Sequence, residues 1–204
     1  MSDRFAAAVA AVVYLVGAGI GIGWRMWWQW RRTGSTGFKG VTGRVGSADW
    51  FGGVGFILGV AVTAAAPVLQ LAEIVAPLVR SPWIHWTGVG VAAAGISAVV
   101  YAQFVMGTSW RIGVDARETT TLVRTGVFGV VRNPIYVAMF VFWLGTTLVA
   151  PNIVAILGYV LLVVSIELQV RLVEEPYLLK VHGQTYREYA STVGRFVPHV
   201  GLMR

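Results

Sequence analysis

Residues 133–166 read NPIYVAMFVFWLGTTLVAPNIVAILGYVLLVVSI, a run of 34 positions without one charge. As a single helix it would be about 51 Å long, well beyond the ~30 Å of a hydrocarbon core. Pro151-Asn152 falls in its middle and is a turn signal. The run is therefore predicted to be a hairpin of two short helices, about 134–149 and 153–172, each near the minimum length for crossing a bilayer. Pro134 suits the first turn of a helix, where its missing N–H costs nothing, and Asn133 before it suits an N-cap. The helix start would turn its first N–H groups and positive dipole end to the aqueous side, a natural place to hold a carboxylate.

Composition agrees with a membrane setting. Hydrophobic residues make up 56% of the 204 positions and charged residues 12%, about half the share of an ordinary soluble domain. The mean hydropathy is +0.70. There is no cysteine, which excludes disulfides, thiolate metal sites and a cysteine nucleophile. His85, His182 and His199 are far apart and form no cluster with ligand spacing, so no metal site is expected. His85 is read as an interfacial or satisfied histidine. The net charge of +7 could point to nucleic acid, but the basic residues lie in loops between apolar runs, where membrane orientation explains them.

Working back toward the N-terminus, Phe5–Gly23 carries no charge and is long enough to span. A signal peptide is the rival reading. The run leads instead into Trp24, Trp27, Trp28 and Trp30 beside Arg25, Arg31 and Arg32, as a membrane–water interface selects. A short interfacial helix and then a glycine-rich loop are expected there. Gly17 and Gly21 share one helical face, as do Gly19 and Gly23, and close helix packing is their expected use. Trp50–Ala72 is a second uncharged run, with Gly55 and Gly59 one turn apart and Pro67 near its end. Ser81–Trp110 is a third.

The fold class is thus an all-α integral membrane protein with about five transmembrane helices, including the short C-terminal hairpin. The loop 24–49 holds five Lys/Arg, the segment 107–133 four and the tail 167–204 five, leaving only Arg4 and Arg80 for the other side. By the positive-inside rule the N-terminus is expected outside and the C-terminus in the cytoplasm. Residues 1–106 would form the first three spans. Residues 107–204 would form the functional core, with the segment before the hairpin and the tail after it on one side of the membrane.

Two motifs carry chemistry. The first is Gly126-Val127-Phe128 followed by Arg132-Asn133-Pro134-Ile135-Tyr136. The second is Glu174-Glu175, Leu178, His182-Gly183, Tyr186, Tyr189 and Arg195-Phe196-Val197-Pro198. Glu167, Arg171 and Glu174 recur at helical spacing on the exit helix. Glu167 at the membrane edge reads either as a functional carboxylate or as an ion pair with Arg171. Tyr186 and Tyr189 read as one face of an interfacial helix.

The two motifs resemble those of the isoprenylcysteine carboxyl methyltransferase family and its relatives, which include phospholipid N-methyltransferases. The resemblance covers residues from about 107 to 198. Asn133 stands where the family has histidine, and His182 where it has phenylalanine. Asparagine keeps hydrogen bonding but does not titrate near neutrality, so position 133 suits binding rather than general-base chemistry.

The resemblance implies a membrane methyltransferase that uses S-adenosylmethionine. It places Thr121, Leu122, Val123, Phe128, Asn133, Pro134, Tyr136 and Glu174 around the cofactor. It turns Arg171 toward the substrate, with Arg111 or Arg195 as further carboxylate-orienting groups and Glu167 as the candidate base for an amine. The methyl group is already activated on sulfonium, and a carboxylate substrate needs no base near neutral pH. The expected substrate is lipophilic and enters from the bilayer, most simply a fatty acid or prenylcysteine-like carboxylate. Amino phospholipid N-methylation, thiol S-methylation and a non-enzymatic transporter or structural role are the alternatives. The partners are membrane lipids and no nucleic acid, the expected location is a plasma membrane of bacterial or archaeal type with the site on its cytoplasmic side, and the sequence does not give the oligomeric state.

Overall fold

The computed structural model describes residues 2–38, 40–41, 43–110 and 121–203. Among these every extended element is a helix, and Val131 and Gly194 form one isolated parallel β-bridge. Helix α1 (Asp3–Ala18) passes through a wide π-helical turn, Gly19–Trp24, directly into α2 (Arg25–Thr33). Then come α3 (Ala48–Leu71), α4 (Pro82–Met106), α5 (Pro134–Val149) and α6 (Ile153–Gln169). A second wide turn, Val170–Glu174, leads into α7 (Glu175–Thr192). Four helical stretches are long and apolar enough to cross a membrane, and α5 is a shorter fifth apolar helix. The integral membrane fold expected from the sequence is therefore present, with element bounds within a few residues of those predicted.

The hairpin owes its tight tip to Asn152, which is fully buried. Its Oδ1 accepts from the Ala155 N–H at 2.9 Å and caps α6, while Nδ2 donates to Gln70 Oε1 at 2.9 Å and to the carbonyls of Ala66 and Ala150. The tip is thus pinned to the end of α3. The link after α3 closes over it through Leu78 N–H to Pro151 O at 2.7 Å. His85 is buried; its Nδ1 lies 2.8 Å from the Val149 carbonyl oxygen, while its Nε2 has no partner among the described residues, so the histidine expected to be satisfied is satisfied at one nitrogen.

Small residues set the helix spacings. A Cβ on Gly88 would meet the backbone of Val149 at 2.6 Å and Gly145 O at 2.8 Å, so α4 and α5 touch main chain to main chain. Gly59 lies against Leu162 and Gly55 against Ser165, which brings α3 onto α6. Gly17 abuts the Phe142 ring and Gly21 abuts Ile96. Gly19 and Gly23 have no neighbour within 4 Å of a built Cβ, so only one of the two glycine faces of α1 packs. The short helix expected after the first span is α2, which ends at Gly34 and is continuous with α1 through the wide turn. Arg25 is buried there, over the rings of Trp28 and Trp110, and donates to Gly107 O at 2.5 Å.

The bundle has two ends of opposite character. Arg4 and Arg80 pair with Glu73 and Asp3 at the hairpin-tip end. The starts of α3 and α5, the ends of α4 and α6, and the whole of α2 and α7 gather at the other.

Candidate functional site

The C-terminal segment folds back on the start of the hairpin. Arg132 N–H donates to Gly194 O at 2.8 Å and Asn133 N–H to Arg195 O at 3.2 Å. Tyr189 donates its hydroxyl to Phe128 O at 2.5 Å. Arg132 is the centre of this joint. Its guanidinium reaches Glu175 Oε1 at 2.7 Å, Ala190 O at 3.0 Å and Gly201 O at 2.9 Å. Glu175 is also held by Arg195, from Nε at 2.7 Å and from Nη2 at 2.8 Å. Hydrogen bonding to Glu175 raises the Arg195 pKa above its ordinary value, since the carboxylate favours the charged guanidinium.

Asn133 does not act as the expected N-cap. Its side chain accepts no N–H from α5; Nδ2 donates to Arg195 O at 3.2 Å instead, because the returning tail offers a buried carbonyl there. Pro134 does occupy the first turn, as expected. Tyr186 and Tyr189 are buried at 2% and 7% exposure, which replaces the interfacial reading by one of core residues packed against each other edge to face. Gly183 interrupts α7 with φ +53°, a conformation that suits glycine.

Above this joint opens a cavity of about 550 Å³, within the range of small-molecule sites. Thr121, Leu122, Val123, Phe128, Asn133, Pro134, Tyr136 and Glu174 all line it, so the eight positions expected around a cofactor share one cavity. Tyr136 donates to Glu174 Oε1 at 2.5 Å, which joins the first turn of α5 to the end of the exit turn. A short bond of this kind is charge-assisted. The two sequence motifs thus meet side chain to side chain.

The residues expected to orient substrate are placed elsewhere. Arg195 is committed to Glu175. Arg171 and Glu167 form the i,i+4 ion pair, partly exposed on the outside of the exit helix. None of these three lines the cavity. Arg111 lies outside the described residues.

Sequence reasoning passed over several lining residues. Asp49, Gln103 and Gln169 reach the cavity, beside His182 of the second motif. Gln103 donates to Gly21 O at 2.8 Å, a carbonyl within the wide turn, while its Oε1 and that of Gln169 are buried without a partner among the described residues. Each glutamine sits in or beside an otherwise apolar run, and that isolated polarity was the readable signal.

A sequence profile described as "Phospholipid methyltransferase" matches residues 83–185, from the start of α4 to within α7. The chain belongs to this family. Within the phospholipid methyltransferase family it is similar to the protein-S-isoprenylcysteine O-methyltransferase of Schizosaccharomyces pombe, with 34% identity over 77 residues. That match covers 38% of this chain and 33% of the yeast protein, so the chain is aligned to about a third of the relative's length. The fold is similar to that of the eukaryotic intramembrane Ras methyltransferase, isoprenylcysteine carboxyl methyltransferase. The TM-score is 0.51 at 23% identity, over 74% of this chain and 52% of that one.

Proposed function

We propose that this family member transfers a methyl group from S-adenosylmethionine to a lipophilic substrate at the membrane. One observation carries the reading: Tyr136 and Glu174, joined by their hydrogen bond, line a cavity of about 550 Å³ whose other walls are mostly apolar side chains of the spans. The residues present suit the cofactor. Glu174 can accept from an ammonium or a ribose hydroxyl, and Phe128 offers an aromatic wall. Pro134 has no N–H and that of Asn133 is taken by Arg195, so the first-turn donors left for a carboxylate are those of Ile135 and Tyr136.

When bound, the cofactor supplies an electrophilic methyl on sulfonium. The chain's work is alignment and exclusion of water. The rigid α4–α5 contact and the Arg132–Glu175–Arg195 cluster fix the chamber walls, and the spans present the nucleophile from the lipid side. We assign the site end of the bundle to the cytoplasm, on the charge count of the loops, with the N-terminus outside. Residues 107–204 carry the cofactor chamber, and residues 1–106 wall the substrate arm.

For the nucleophile, a carboxylate is the first reading, supported by the names of the two relatives. Asp49 and the unpartnered Oε1 atoms of Gln103 and Gln169 support a second, since acceptors suit an N–H-bearing amine.

The test is calorimetric titration of S-adenosylmethionine into lipid-supplemented purified protein. Binding is expected for the wild type and should weaken about tenfold or more in Glu174→Gln and Tyr136→Phe, as hydrogen bonds to a charged group are lost. A folded wild type that binds no cofactor refutes the proposal. Labelled methyl transfer into a lipid extract then separates the nucleophiles: a methyl ester releases its label in mild base, and a methylated amine retains it.

A further inference from the structure

The apolar arm of the cavity has a floor. Along α1 the buried face runs Gly21, Gly17, Tyr14, Ala10, Ala7, and Tyr14 is the one large side chain on it. Above Tyr14, Gly17, Ala18 and Gly21 line the cavity, with the Phe142 ring against Gly17 and Ile96 against Gly21. Below Tyr14 a separate small void is lined by Ala10, Thr63, Pro67 and Thr146 among others. Tyr14 lines both spaces and is the partition between them.

The partition is held rigidly. The Tyr14 hydroxyl donates to Val60 O at 2.7 Å and lies 3.1 Å from Thr63 Oγ1. Its ring meets that of Phe142 at 6.3 Å between centroids, and Trp143 stands beside it in the same core cluster. Phe142 and Trp143 are also the deepest α5 residues of the cavity wall. From Tyr136, at the chamber, to Trp143 is about 10 Å of helix at 1.5 Å per residue. From Met26, at the mouth, to Tyr14 is about 18 Å.

We infer that Tyr14 sets the length of apolar tail that the site accepts. This rests on the reading of a lipophilic substrate. A tail that fits runs down the cavity beside α1 and ends at Tyr14. A longer one must displace a tyrosine anchored to the α3 backbone, in a core that does not yield freely.

The experiment is competition binding in nanodiscs with two homologous series of straight saturated chains, fatty acids and alkylamines. Each homologue displaces a tritiated member of its own series. The wild type should show a cutoff, with affinity falling about five- to a hundredfold over the first few methylenes beyond the fitting length. Tyr14→Ala joins the two spaces and should move the cutoff to longer chains. Ala18→Leu fills the arm from above and should move it to shorter ones. Tyr14→Phe keeps the partition and should leave it in place. An unmoved cutoff in Tyr14→Ala, or no cutoff in the wild type, or no competition by either series, overturns the inference. Cofactor titration is read separately, so failure of the tail assignment is distinguishable from failure of the methyltransferase reading.

Discussion

Glu175→Gln removes one negative charge from between two guanidiniums and changes almost nothing else in shape. The carboxylate accepts from Arg132 at 2.7 Å and from Arg195 at 2.7 and 2.8 Å. The Arg132 and Glu175 side chains are 2% and 5% exposed, and that of Arg195 is 14% exposed. In the variant, an amide N–H₂ faces guanidinium donors and two buried cations lose their partner. Breaking a buried pair in this way costs about 3–5 kcal/mol. At about 2–4 °C per kcal/mol for a chain of this size, Tm should fall by about 6–20 °C. The control is Arg4→Gln, whose pair with Glu73 is 72% and 67% exposed and is worth about 0–1 kcal/mol. Both variants are melted in one detergent and followed by tryptophan fluorescence. Adding Arg195→Gln to Glu175→Gln should recover part of the loss, because one unpaired charge then disappears. If Glu175→Gln shifts Tm no more than Arg4→Gln, the cluster is not the clamp that shapes the site.

Other outcomes follow from packing and capping. Gly88→Ala places a methyl against the α5 backbone, with Val149 N at 2.6 Å, and should cost about 1–3 kcal/mol in the same melt. Gly90→Ala, on the same helix with nothing within 4 Å, should be neutral or slightly stabilising. Asn152→Ala strips the α6 cap and leaves Gln70 Oε1 short of a donor, for about 2–4 kcal/mol of lost stability. Cofactor affinity of the folded Asn152→Ala fraction should be unchanged, since the hairpin tip lies at the end of the bundle away from the chamber.

The membrane fold was legible because hydrocarbon thickness and the absence of charge bound each span so tightly. A 34-residue uncharged run with Pro151-Asn152 inside it admits little but a hairpin. The family resemblance pointed to eight cofactor positions, and the fold brings all eight to the lining of one cavity. What the sequence could not decide is which way each polar group turns. Glu167, Arg171 and Glu174 share helical spacing, yet the wide turn at Val170–Glu174 breaks that register. Glu174 reaches Tyr136 in the chamber, while Arg171 pairs with Glu167 outside it. Asn133 had the identity of a cap, but a carbonyl 62 residues later in the chain claimed its amide. Arg195 had the identity of a substrate-orienting group, but Glu175 holds its guanidinium. Spans follow from local chain chemistry and lipid. Partners among buried charges follow from which distant segments come together, and only the tertiary structure fixes that.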